Sequence, residues 1–150
     1  MSGPVLFCYD GSEDSRASLS VAGPLIAPAP IVVLTVWQTA AALLARAGGF
    51  AVGFGDEQQF DTDEEQAARK AAEEAAARGR EIGYDVAVRV EQARTGAANT
   101  IVEVADEIDA RLIVCGRRGL GVISSAVLGS VSHAVLAHTA RPVLIVRKPA

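Results

Sequence analysis

The sequence has 150 residues, of which 50% are hydrophobic and 5% aromatic, and its formal net charge is −4. A chain of this length can bury roughly 68–70% of its unfolded surface in one domain, and the few aromatics predict an aliphatic core. The negative charge argues against nucleic acid as the main partner. No apolar run approaches the roughly 18 residues of a membrane span, and no signal-peptide pattern opens the chain. We therefore expect a cytoplasmic protein with no membrane partner.

Strand and helix patterns alternate from the start of the chain. The apolar run Val5–Tyr9 is typical of a parallel strand covered on both faces. A helix is predicted from Glu13 to Ile26, with Ser12 as its N-cap. The run Ile31–Trp37 predicts a second strand.

The middle of the chain is less regular. From Gln38 to Asp61 we find only a local helix candidate, Ala40–Ala47, and a glycine-rich stretch. A long helix is predicted over residues 62–83, because Thr62-x-x-Glu65 fits a capping box. Alternating residues over Val86–Val90 predict a third strand with one polar face, at a sheet edge.

The last third of the chain predicts two more helix–strand pairs. Apolar residues recur at helical spacing from Ile101 to Ile108, before a fourth strand at Leu112–Cys115. A helix over Val131–His138 and a fifth strand, Val143–Val146, follow. This alternation, without an internal repeat or a linker, predicts one α/β domain over residues 1–150 with a parallel sheet.

Both cysteines fall inside strand-like apolar runs. Cys8 lies in the first run and Cys115 in the fourth. The pattern predicts buried, structural free thiols in a reducing compartment. If the two strands are neighbours, the thiols lie close together.

A glycine-rich segment joins the fourth strand to the last helix. Gly116-Arg-Arg-Gly119-Leu-Gly121 follows the strand, and Gly129-Ser130-Val131-Ser132 leads into the helix. Glycines let the backbone approach an anion, and a helix start presents free N–H groups to it. Arg117 and Arg118 add positive charge, and no Asp or Glu occurs in residues 111–150. We therefore predict that phosphates bind between Gly119 and Ser132.

The junction after the first strand is the other candidate for a ligand. Glu13 and Asp14 open the helix there, and carboxylates favour a helix dipole but repel a phosphate. Asp10 is better placed to accept hydrogen bonds from a ribose or to help hold Mg²⁺. If strands one and four flank the point where strand order reverses, Asp10 and Gly116 come together.

The glycine spacing resembles that of a known family. Gly116-x-x-Gly119, nine residues and then Gly129-Ser130 match the ATP-binding branch of the universal stress protein family. Val5–Ser12 and Arg141–Val146 support the resemblance, which spans essentially the whole chain. It implies an open, Rossmann-like parallel five-stranded sheet of order 3-2-1-4-5 with helices on both faces, and a variable loop at about residues 38–61. It also implies a homodimer formed through the last strand, residues 143–146.

The resemblance further implies a site for ATP over the carboxyl ends of strands 1, 2 and 4. Together with the position of Asp10, it leads us to expect Mg²⁺ on the ATP phosphates, with Asp10 as the candidate metal ligand. By matching positions, Cys8, Tyr9 and Asp10 border the nucleotide, the backbone of Val36 meets the adenine, and Cys115 and Gly116 flank the adenosine. The residues expected around the ribose and phosphates are Gly119, Gly129, Ser130, Val131 and Ser132. Tyr9 is bulkier than the small residue often found there, and is expected to narrow the pocket.

The predicted function is regulatory. Bound ATP biases a dimer whose output, in a stress response, is an interaction with an unidentified protein. One alternative is a slow ATPase or a self-phosphorylating enzyme, with Ser130 or Ser132 as acceptor. The other is a buffer or carrier of AMP or cyclic AMP. No Walker-type lysine or general base accompanies the phosphate loop, which argues against efficient hydrolysis, and no catalytic residue is predicted.

Overall fold

The computed structural model describes residues 2–26, 28–48, 55–119 and 128–150. In chain order its elements are β1 (Val5–Cys8), α1 (Glu13–Ala22), a 3₁₀ turn (Gly23–Leu25), β2 (Ile31–Trp37), α2 (Ala40–Arg46), α3 (Glu57–Glu81), β3 (Val86–Gln92), α4 (Ala97–Glu107), β4 (Leu112–Gly116), α5 (Ser130–His138) and β5 (Val143–Val146).

All five strands pair in parallel, in the order β3-β2-β1-β4-β5. The predicted fold class and strand order are therefore confirmed. Val5 at the start of the central strand pairs with Ile31 of β2 and with Leu112 of β4. The strand order reverses between β1 and β4, so a crevice opens at their carboxyl ends.

Side chains of each strand alternate between two core clusters, one on each face of the sheet. Val5, Phe7 and Tyr9 of the β1 segment enter the first cluster, which also includes residues of α1 and α3. Leu6 enters the second cluster, with residues of α4 and α5 such as Val135. The core is largely aliphatic, as predicted.

The long helix begins earlier than the sequence pattern predicted. α3 starts at Glu57, and the carboxylate of its N-cap Asp56 accepts hydrogen bonds from the N–H groups of Gln58 and Gln59, both at 3.1 Å. Thr62 lies inside the helix, where its hydroxyl donates to the carbonyl of Gln58 at 2.9 Å. The capping box at Thr62 was therefore a wrong prediction, because a better cap precedes it.

Two other segments refine the prediction. α1 ends at Ala22 and continues as the 3₁₀ turn, because Pro24 has no N–H group to extend the α-helical ladder. α2 confirms the local helix candidate, and the hydroxyl of its N-cap Thr39 accepts from the N–H of Ala42 at 3.1 Å. In the described part of the chain, every helix is too short or too polar to cross a bilayer.

Candidate functional site

A cavity of about 250 Å³ opens at the carboxyl ends of β1, β2 and β4. Every residue predicted for the site lines it: Cys8, Tyr9, Asp10, Val36, Cys115, Gly116, Gly119, Gly129, Ser130, Val131 and Ser132. Asp10 and Gly116 thus come together at one cavity, as expected from the strand order. Residues 120–127 of the glycine-rich segment, including Gly121, lie outside the described residues.

The cavity is also lined by seven residues that were not predicted for the site: Ser12, Ser15, Leu34, Gln38, Ala97, Ile101 and Arg118. Leu34 was accessible to sequence reasoning, because it precedes Val36 by two positions and so shares its face of β2. Ala97 and Ile101 share a face of α4. Their placement depends on how that helix packs on the sheet, which no local pattern reveals.

One side of the cavity is apolar. Leu34, Val36 and Ile101 belong to the second core cluster or pack against it, together with Cys8 and Cys115. Tyr9 borders the cavity, but its side chain is 4% exposed and packs in the first cluster, on the other face of the sheet. The expectation that Tyr9 narrows the pocket was therefore wrong, because strand alternation directs its ring away. The apolar side suits a flat heteroaromatic ring.

The two thiols are neighbours, as the sequence analysis anticipated. β1 and β4 pair Phe7 with Val114, so the next residues along each strand are Cys8 and Cys115. Both are free cysteines. A hydrogen bond with Cys115, reinforced by burial, raises the pKa of the Cys8 thiol well above its ordinary value. The two sulfur atoms present a polarisable surface to the cavity.

The opposite side of the cavity is polar and formed by the start of α5. Gly129 is the N-cap of this helix, no side chain caps it, and no acidic residue occupies its first turn. Among the side chains that the structure describes, none caps the N–H groups of this helix start, and no acidic residue of its first turn compensates the positive end of its dipole. Ser130 is exposed at this end. This arrangement favours an anionic ligand.

The hydroxyl of Ser132, a residue expected around the ribose and phosphates, makes a hydrogen bond within the protein instead. Its Oγ donates to the carbonyl of Gly116 at 2.7 Å, which ties the first turn of α5 to the end of β4. The hydroxyl proton is therefore committed within the protein. Of the two serines expected around the ribose and phosphates, Ser130 is the one exposed to a ligand.

Two glycines permit close approach of the chain segments around the cavity. The N–H of Gly129 donates to the carbonyl of Arg117 at 2.8 Å, and a Cβ at position 129 would lie 3.1 Å from that carbonyl oxygen. A Cβ at position 119 would lie 2.7 Å from Oδ2 of Asp10. At both positions the tight space comes from these contacts rather than from a positive φ.

Asp10 is held by the turn that follows β1. Its Oδ1 accepts the N–H of Ser12 at 2.9 Å, which turns the carboxylate toward the cavity rim. Ser12 is the N-cap of α1, as predicted, and its Oγ accepts the N–H of Ser15 at 3.2 Å. The same Oγ donates to the carbonyl of Arg118 at 3.2 Å. The acidic residue and the glycine-rich segment are therefore joined through one serine.

Comparison with known proteins agrees with this architecture. The universal stress protein family model matches residues 1–147. A universal stress protein of Staphylococcus saprophyticus is 42% identical over 45 residues, which cover 30% of this chain and 27% of that protein. The chain thus matches little more than a quarter of the length of this curated relative.

Solved structures match over nearly the full chain. Universal stress protein UspA from Lactobacillus plantarum superposes with a TM-score of 0.77 at 18% identity, covering 97% of this chain and 98% of that chain. A universal stress protein in complex with cAMP gives 0.64 at 26% identity, with 98% of both chains covered. An Arabidopsis thaliana protein of the family with AMP bound gives 0.67 at 15% identity, covering 99% and 93%. With its whole sheet and nearly all its length accounted for, the chain belongs to the universal stress protein family.

Proposed function

We propose that this chain binds an adenine nucleotide in the cavity at the carboxyl ends of β1, β2 and β4. The observation that carries the proposal is the pairing of an apolar side with an uncapped helix start in one cavity. A nucleotide has the same two-sided character, with a flat base at one end and phosphates at the other. The cAMP complex of a relative at 26% identity supports the assignment.

The base lies against the apolar side in this proposal. Leu34, Val36 and Ile101 contact its faces and edges, while the sulfur atoms of Cys8 and Cys115 add polarisable contact surface. The backbone of Val36, at the carboxyl end of β2, is the element proposed to hydrogen-bond the adenine. Gln38 lines the same region and offers both a donor and an acceptor.

The ribose and phosphates occupy the polar side. Asp10 accepts hydrogen bonds from ribose hydroxyls, beside Gly116 at the end of β4. The phosphates lie between Gly119 and the start of α5, where Gly129, Ser130 and Val131 provide N–H groups and a hydroxyl.

ATP with Mg²⁺ is the form we propose. In the described residues, no group of three or more His, Cys, Asp or Glu side chains converges as a metal site. Mg²⁺ is commonly held by one or two carboxylates together with substrate phosphates. A single carboxylate, Asp10, fits that pattern, and the ion would neutralise phosphate charge there.

The proposed output is regulatory and depends on a dimer. β5 is an edge strand of the described sheet, and an unpaired edge is a ready template for another strand. We propose that two copies pair through residues 143–146 in the cytoplasm. Bound nucleotide would then bias contacts with a protein partner. Among the described residues that line the cavity there is no His, Lys or Glu, so the chemistry present suits binding better than phosphoryl transfer.

The first experiment is to denature freshly purified protein and identify the released nucleotide by chromatography and mass spectrometry. About one ATP per chain is the expected result. AMP, ADP or cyclic AMP in its place would favour the buffer or hydrolysis alternatives. Protein that is isolated empty would then be titrated with each nucleotide by calorimetry, and a lack of heat with all of them would contradict the proposal.

A substitution tests the location of the site. Gly129→Glu adds both a side chain and a negative charge at the start of α5, and is expected to abolish binding. Ala77→Glu adds the same charge on the exposed face of α3 and serves as the matched control. Normal nucleotide binding by the Gly129→Glu protein would show that the phosphates lie elsewhere.

A further inference from the structure

A second cavity adjoins the first on the α1 side of the sheet. Its volume is about 570 Å³, and it lies between the start of α1, the segment after β4 and the residues that follow β5. Ser12, Arg118 and Gly119 line both cavities and so form their common wall. A ligand that fills the first cavity and extends past Gly119 enters the second.

Positive charge predominates in this second cavity. Arg117, Arg118, Arg147 and Lys148 line it and are called the basic cleft below. No acceptor among the described residues engages any of its three guanidinium groups, and the Nε of Arg117 is buried without a hydrogen-bond partner. Guanidinium groups favour phosphate because they offer several donors in a fixed plane.

The two acidic residues of the cavity are already engaged by the protein. Asp14 accepts the N–H of Arg118 at its Oδ2, at 3.1 Å, and the N–H of Lys148 at its Oδ1, at 2.8 Å. Glu13 forms an ion pair with the Nζ of Lys148 at 2.7 Å. Lys148 thus offsets the charge of Glu13, whereas Asp14 is held by two backbone N–H groups that carry no countercharge. Through these two hydrogen bonds, Asp14 holds the segment after β4 and the segment after β5 beside each other in the basic cleft.

We propose that the basic cleft binds the distal phosphates of the nucleotide whose base and ribose fill the neighbouring cavity. This inference rests on the proposed function and names the ligand class more closely. The cleft selects a nucleoside triphosphate over a monophosphate, because each added phosphate brings negative charge toward three arginines whose guanidinium groups meet no acceptor in the described part of the chain. The start of α5 then holds the phosphate nearest the ribose.

The test is the affinity of the purified full chain for AMP, ADP and ATP, measured by calorimetry at one ionic strength. In the unmodified protein we expect affinity to rise along this series. Arg147→Gln removes a cation that lines the basic cleft and not the first cavity. It is expected to weaken ATP binding about threefold to tenfold and to leave AMP binding unchanged.

Arg16→Gln is the matched control, because it removes the same charge from an exposed position on α1 that lines neither cavity. An ATP-to-AMP affinity ratio that falls only in Arg147→Gln supports the proposal. A ratio unchanged in Arg147→Gln, or lowered equally by Arg16→Gln, overturns it. Equal affinities of the unmodified protein for AMP and ATP also overturn it while leaving nucleotide binding intact. Failure to bind any of the three nucleotides contradicts the proposed function itself.

Discussion

Asp10 and Gly119 are mutually dependent, because Oδ2 of Asp10 lies 2.7 Å from the place where a Cβ at position 119 would stand. The two residues belong to segments that follow β1 and β4, the strands between which the sheet order reverses. A steric argument therefore explains why the second position of the motif, Gly119, is a glycine. It leaves room for the carboxylate that we propose as the ribose and Mg²⁺ ligand.

This contact predicts the effect of Gly119→Ala. The added methyl group displaces the end of the Asp10 side chain, so we expect nucleotide affinity to fall about tenfold or more. The free energy of unfolding should change by less than about 1 kcal/mol, because a flexible side chain on the rim can move aside. Calorimetric titration and urea unfolding measure the two quantities.

A double-mutant cycle with Asp10→Ala provides the control for this prediction. If the methyl group acts only through the carboxylate, Gly119→Ala should have little further effect once Asp10 is truncated. Fully additive losses of affinity would show that position 119 affects the ligand by another route.

Most of the sheet was predictable from the sequence, because its strands are short apolar runs with clear breaks. The bounds of β2 and β5 agree with the prediction. The start of α3 was not predictable, since Asp56 and Thr62 are both good capping residues and the choice between them depends on contacts beyond the local sequence. When two good capping residues lie within one helical stretch, the local sequence does not show which of them begins the helix.

The residues that line the cavity also divide into those that were predictable from the sequence and those that were not. Residues recognised from the family motif all line it, whereas Ala97 and Ile101 of α4 were missed. The basic cleft was also missed, because Arg147 and Lys148 lie far along the chain from Asp14. Only the docking of the residues after β5 against α1 brings these charges together.

The start of α5 predicts opposite effects on stability and binding for Ser130→Asp. A carboxylate in the first turn of a helix interacts favourably with the dipole, so the free energy of unfolding without ligand should rise by about 0.3–1 kcal/mol. The same charge repels a phosphate, so affinity for ATP should fall. Thermal unfolding with and without ATP measures both effects.

Ser130→Asn is the matched control for this substitution, because it has a similar shape without the charge. It should leave affinity much closer to that of the unmodified protein. A Ser130→Asp protein that binds ATP as tightly as the Asn variant would contradict the placement of phosphates at the start of α5.

The geometry of β5 predicts which proline disrupts a dimer. The carbonyls of Pro142 and Val146 accept from the N–H groups of Ile113 and Arg117, so even-numbered residues of this segment bond to β4. In a parallel pair the intervening residues direct their N–H groups to the outer edge. Ile145→Pro should therefore remove an outward donor and produce monomers.

Light scattering after size-exclusion chromatography measures the molecular mass for this test. Leu144→Pro is the comparison, because it removes an inward donor and is expected to lower thermal stability more than Ile145→Pro. If the Ile145→Pro protein folds and keeps a dimeric mass, the interface does not use this edge.

The thiol pair predicts a dependence of stability on alkaline pH. The pKa of Cys8 is raised in the folded state, so the folded protein holds this proton more tightly than the unfolded chain does. The resulting stabilisation is present below the ordinary cysteine pKa of about 8.5 and is lost as pH rises toward the folded-state value. The melting temperature should therefore fall as the pH rises above about 8.5.

Cys8→Ala lacks this titration and is the reference protein. Its melting temperature should fall less steeply over the same range, as measured by circular dichroism in matched buffers. Parallel curves for the two proteins would mean that Cys8 titrates normally. Slow alkylation of the Cys8 thiol at neutral pH is the second expected result, because its raised pKa keeps the reactive thiolate scarce.

The walls of the first cavity come from the ends of β1, β2 and β4 and from the starts of α4 and α5. No contiguous piece of the chain contains the site, so unfolded or partly synthesised chains have none of its affinity. A ligand at about 100 times its dissociation constant would then stabilise the whole fold by about 2.7 kcal/mol. Under the proposed function, the resistance of this protein to proteolysis should therefore rise and fall with the supply of the nucleotide, and its abundance in the cell should follow.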